Sequence, residues 1–127
     1  MIVAGIGSRR GVATEEVLAA IDAALARAAL SRDALDALAT PAIKGGEPGI
    51  AAAAAALGLP LILVPQTQLE AVAARAQTRS ERVVALLRVP SAAETAALAA
   101  AGPAAHLLGP RLALGMVTCA LAGGERA

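Results

Sequence analysis

No phenylalanine, tyrosine or tryptophan occurs among these 127 residues, although 57% of them are hydrophobic. A core must therefore be built from Leu, Ile, Val and Ala, small side chains that allow close packing of helix on sheet. The same absence removes the aromatic platforms on which single-stranded nucleic acids stack. Charge of one sign is also lacking: 11 Lys plus Arg stand against 10 Asp plus Glu, a formal net charge of +1. No global field draws the chain to nucleic acid, which is not an expected partner. The single cysteine, Cys119, lies in the apolar run MVTCALA and reads as a small buried hydrophobe. One thiol makes neither a disulfide nor a thiolate zinc site. The single histidine, His106, has no second histidine or cysteine cluster to complete a metal site. No metal is expected, and His106 reads as a hydrogen-bonded core or interface residue in mid-strand.

Long apolar runs are missing too. The longest, IAAAAAALGLPLILV at 50 to 64, is too short for one spanning helix and is divided by Pro60. At the N-terminus, MIVAGIGSRR places its positive charge after the apolar residues, the reverse of a secretory signal. A cytoplasmic protein that starts here, without a membrane partner, is the expectation. The length fits one domain, 1–127.

What is present alternates between strand and helix. Residues 2 to 6 form a short apolar run that meets a glycine turn, as a buried strand does. Thr14 is a plausible N-cap, with Glu15 and Glu16 in the first turn and Val17, Leu18, Ile21 and Leu25 on one face of a helix to about residue 29. A short helical segment begins at Ser31 and Asp33, and a second strand spans 38 to 43. Pro48 suits the first turn of a helix that Gly58 and Pro60 stop, and LILV at 61 to 64 is the third strand. Residues 66 to 76 read as helix, and SERVVALL at 80 to 87 as a helix capped by Ser80. Ser91 and Glu94 have capping-box spacing before a helix that ends at Gly102-Pro103. Two last apolar runs, 104 to 108 and 113 to 122, are divided by Gly109-Pro110-Arg111. They predict an antiparallel edge, and the GGERA tail is expected to fray. The fold class is α/β: a three-layer α/β/α domain with a mixed, mostly parallel sheet of about five strands.

Loops after the carboxyl ends of parallel strands line one rim, where ligands bind in such sheets. The stretch GIGSRRG puts Gly7, Ser8, Arg9 and Arg10 there, and Lys44, Glu47 and Arg111 follow other strands. The natural guest of this rim is an anion, to which glycine-turn amides and a helix N-terminus add donors. As a nucleotide signal GIGSRRG is weak, because G-x-G-x-x-x-G is one residue longer than the dinucleotide fingerprint. A solvated turn, or a phosphate-binding domain, is equally permitted by the stretch alone.

Taken in order, the segments resemble the CobE proteins and the C-terminal domain of the CbiG proteins of cobalamin biosynthesis. The family's G-[IV]-G-C-R-[RK]-G is similar to residues 5 to 11, and its K-x-x-E-x-G-[IL] to residues 44 to 50. Its serine followed by E-x-V resembles Ser80-Glu81-Arg82-Val83, its V-x-[ST]-V-[AS]-E-A-A-A-L residues 89 to 98, and its closing P-[KR] and [VT]-T-x-A-[LIV]-A resemble Pro110-Arg111 and residues 117 to 122. Ser8 stands where the family often has Cys, and Gly45-Gly46 replace a stretch that often carries an acidic residue. The resemblance implies a role in building the corrin ring, with Gly7, Ser8, Arg9, Arg10, Lys44, Glu47, Ser80, Glu94, Arg111 and Thr118 as ligand-binding positions. The expected ligand is a carboxylate-rich precorrin or hydrogenobyrinic acid-like intermediate, bound or delivered by an accessory protein of the aerobic pathway with no cofactor. Candidate protein partners are other enzymes of the pathway and a second copy of the chain. The alternative is a hydrolase of a lactone-bearing precorrin, with Glu47 or Glu94 as general base and Lys44 or Arg9 at the oxyanion.

Overall fold

Small and branched apolar residues at the N-terminus make β1 (Ile2–Ser8), the central strand of the sheet. The computed structural model describes residues 1–124. After β1 come α1 (Thr14–Arg27), β2 (Ala37–Pro41), α2 (Pro48–Leu57) and β3 (Leu61–Val64). The second half holds α3 (Gln66–Ala71), α4 (Glu81–Leu87), α5 (Ala92–Ala101), β4 (His106–Leu107), β5 (Leu112–Leu114) and β6 (Val117–Gly123). The sheet order is β3-β2-β1-β6-β4, with β5 also on β6. β1 runs parallel to β2 and β2 to β3, whereas β6 runs antiparallel to β1, β4 and β5. Every strand except β6 therefore shares one direction, and the α/β, mostly parallel reading holds.

Two layers of helix cover the sheet. On one face α1 and α2 pack Val17, Ile21, Leu25 and Ile50 against Ile6, Leu38 and Cys119. On the other, α5 lies along β1, flanked by α3 and α4. Its approach is set by glycine. A Cβ on Gly5 would sit 2.0 Å from the Ala93 carbonyl oxygen and 2.7 Å from the Ala97 nitrogen, so only hydrogen fits between strand and helix. Burial pushes the Cys119 thiol up to about 12 and keeps it neutral, as a small core residue.

Several expectations are corrected. The N-cap of α1 is Ala13 and not Thr14, and has no side-chain oxygen to offer; the Glu16 carboxylate accepts the Ala13 amide at 3.2 Å, the return half of a capping box. The second strand stops at Pro41, which has no amide to extend the ladder, and 42–44 turn outward in a 3-10 turn with Ile43 74% exposed. The helix expected over 66 to 76 ends at Ala71 and is followed by a 3-10 turn. Residues 113 to 122 are not one strand: Gly115, at φ +59, turns the chain into a β5–β6 hairpin. β6 is therefore interior, between β1 and the β4–β5 edge. The strand expected at 104 to 108 shrinks to two residues, and His106 is exposed there, not in the core.

β4 and β5 are one edge strand interrupted. Leu107 pairs with Ala122, the Leu108 amide donates to the Leu121 carbonyl at 2.9 Å, and Leu112 pairs with Cys119. Residues 109–111 thus stand opposite Ala120 alone and bulge out of the ladder. The expected fraying of the tail from 123 fails at its first two residues, since Gly123 belongs to β6, and its last three, 125–127, lie outside the described residues. Gly124 before them is fixed: its amide donates to Met1 O at 2.8 Å and its carbonyl accepts the Met1 amine at 3.0 Å.

Candidate functional site

Ser8 at the end of β1 is paired with Val117 at the start of β6, and around this junction opens a cleft of about 800 Å³. The loops after β1 and β2, the helix α4 and the β5–β6 turn are its walls. Of the ten positions expected to bind, Gly7, Ser8, Arg9, Arg10, Lys44, Glu47, Ser80, Arg111 and Thr118 line it. Glu94 does not.

The arginine turn is held from both sides. The Arg9 amide donates to Met116 O at 3.1 Å, and the Gly11 amide donates to Glu47 Oε2 at 3.1 Å. Gly11 itself sits at φ +73, a conformation that favours glycine. Glu47 is also the N-cap residue of α2, so one carboxylate ties the twin-arginine turn to the next helix. At the floor, Thr118 Oγ1 donates to Gly7 O at 3.4 Å, while Ser8 Oγ is buried and meets no hydrogen-bond partner among the described residues. Ser80 caps α4 as expected, its Oγ accepting the Val83 amide at 3.4 Å.

The cleft has two kinds of surface. Arg9, Arg10, Lys44, Arg82 and Arg111 bring five cations to it, against the single carboxylate of Glu47. The ion pairs of the described residues are Arg32–Asp22 and Arg79–Glu81, so none of the five is in an ion pair among the described residues. Between them lie large apolar side chains left to solvent: Ile43, Leu86 at 61% exposure and Met116 at 40%. Sequence reasoning missed Ile43, Arg82, Leu86 and Met116. For α4 the signal was legible, since a helix starting after Ser80 places 82, 83, 86 and 87 on one side. For Ile43 and Met116 it was not, because both were assigned to strands.

Glu94 has a different place. It is fully buried in the first turn of α5, and its amide donates to Ser91 Oγ at 3.2 Å. The return half of the capping box is absent. Its Oε1 instead accepts the Gln77 amide (3.0 Å), the Thr78 amide (2.9 Å) and Thr78 Oγ1 (3.0 Å), and its Oε2 accepts the Arg111 amide (2.9 Å). A carboxylate so occupied and so far from solvent is not placed to act as a general base in the cleft.

The model of the family described as "Cobalamin synthesis G C-terminus" matches residues 2–122. The chain is 36% identical over 122 residues to the protein CobE of Sinorhizobium sp, covering 96% of this chain and 79% of that protein. Among solved structures, it is similar to CobE, a protein from the cobalamin (vitamin B12) biosynthetic pathway, with a TM-score of 0.92 at 33% identity, over 96% of this chain and 89% of the other. It is likewise similar to the cobalamin biosynthesis protein chiG of Agrobacterium tumefaciens str. C58, with a TM-score of 0.81 at 40% identity, over 99% of this chain and 100% of the other. The ordered motifs, the rim they build and these matches agree: the chain belongs to the family of the CbiG C-terminal domain and CobE, and is a protein of cobalamin biosynthesis.

Proposed function

We propose that the protein binds, and hands on, a carboxylate-rich corrin-ring intermediate. The observation that carries this reading is the make-up of the cleft: five cations, none of them in an ion pair among the described residues, interleaved with exposed Ile43, Leu86 and Met116. Precorrins and hydrogenobyrinic acid combine a broad apolar macrocycle with peripheral acetate and propionate groups, and both halves of that chemistry meet a counterpart here. Guanidinium groups suit carboxylates through paired hydrogen bonds. The buried, unpartnered Ser8 hydroxyl offers a further donor at the floor, where a ligand oxygen would satisfy it.

An absorbance titration of the protein with hydrogenobyrinic acid and earlier precorrins tests this, beside a variant carrying Arg9→Ala and Arg10→Ala. The expected result is saturable binding with an unaltered ligand spectrum, weakened about 100-fold in the variant if each arginine contributes ~1.5 kcal/mol. Absence of binding would sink the reading. A new spectrum that develops with time would replace it by the lactone hydrolase, for which Glu47 is the carboxylate on the cleft. Glu47→Gln would then abolish turnover and leave binding intact.

A further inference from the structure

We propose that Glu94 is a positioning residue, which sets one wall of the cleft from behind without touching the ligand. The inference rests on the reading that the cleft takes a corrin intermediate. A carboxylate is costly to bury, and this one has no cationic partner among the described ion pairs. Four hydrogen bonds and the amino end of α5 compensate.

The donors are not spread at random. Three come from Gln77 and Thr78, just ahead of Ser80, and the fourth is the backbone of Arg111 itself, inside the bulge that breaks the edge strand. One buried group therefore fixes three segments: the loop that starts α4, the helix α5 and the 109–111 bulge. Two of these present cleft residues, Ser80 and Arg111, within two positions of a bond to Glu94. Without the carboxylate the Arg111 amide loses its acceptor and the bulge keeps the outer hold of Arg27, which donates to Pro110 O, so the Arg111 guanidinium loses one of the two points that fix its origin. A neutral amide cannot substitute. Glutamine presents one oxygen and one NH2, and the NH2 would face either the Arg111 amide or the donors of 77–78.

The test uses the full chain and two readouts. Hydrogen exchange at the Gln77, Thr78 and Arg111 amides, compared between wild type and Glu94→Gln, reports the anchor itself and needs no ligand. Exchange at these amides should quicken about tenfold in the variant, with β1 unchanged. Titration with hydrogenobyrinic acid then reports the consequence. Glu94→Gln should weaken binding about tenfold, and the double variant with Arg111→Ala should lose little beyond Arg111→Ala alone, whereas the double variant with Arg9→Ala should be additive. Unaltered exchange, or additive losses with Arg111→Ala, would overturn the proposal. If wild type does not bind, the functional reading fails while the exchange result still decides whether Glu94 fixes this wall. Should Glu94→Gln not fold, Thr78→Val removes one donor at the same carboxylate and must shift both readouts in the same direction.

Discussion

The two faces of the sheet are packed by different means. Under α1 and α2 the interface is made of volume: Ile6, Val17, Ile21, Leu25, Leu38 and Ile50 interdigitate. Under α5 it is made of proximity, with Gly5 against the backbone of Ala93 and Ala97, and alanines filling the helix surface. A chain without aromatic residues reaches a closed core by both routes, but they differ in tolerance. Branched side chains repack around a lost methyl, whereas two backbones in contact leave nothing to move.

The sharpest way to break the comparison is to add one methyl group on the α5 side. Gly5→Ala should lower unfolding stability by about 3 kcal/mol or more in urea denaturation, because the new Cβ meets backbone atoms and not the end of a flexible side chain. A loss below about 1 kcal/mol would show that α5 can slide outward. Next in size is the response of the opposite face to alkali. The Cys119 thiol stays neutral in the fold up to about 12, against an ordinary value of 9.0, so its contribution is complete below pH 9 and is lost as the pH rises towards 12. Wild type should lose about 2 kcal/mol relative to Cys119→Ala between pH 9 and pH 10.5, read by denaturant melts at each pH.

Removing one methylene from the same face, Ile21→Val, should cost about 1 kcal/mol, well below the effect of Gly5→Ala. The smallest change lies outside both interfaces. Arg32 donates twice to Asp22 and holds its carboxyl below the ordinary range, yet both side chains are about half exposed. Arg32→Ala should therefore lower the melting temperature by no more than about a degree or two, and only above the carboxylate range.

Much of the α1 and α2 side was legible in the sequence, because its apolar spacing follows helical periodicity and its helix ends carry Glu15, Glu16, Pro48 and Gly58. On the α5 side the helices were legible from Ser80, Ser91 and Gly102-Pro103, but the close approach of α5 to the sheet was not. Its glycines read as a ligand turn, whereas Gly5 is demanded by packing and Gly7 faces both the helix and the cleft. Most of the cleft could be placed from strand ends, since parallel strands deliver their following loops to one rim. Glu94 could not: the spacing of Ser91 and Glu94 is that of a capping box, and a bond to Arg111 across 17 positions leaves no local trace. The bulge at 109–111 was equally hidden, because a ladder interruption depends on which residues face one another across strands.

The mutual hydrogen bonds of Met1 and Gly124 join the two ends of the described chain side by side, at the opposite end of β1 from Ser8 and the cleft. A short linker could close the chain there into a ring, and new ends could be cut in a surface loop. Anything tethered at either end, a sensor surface, a reporter or a second enzyme, would leave the cleft turned outward and open to an arriving macrocycle.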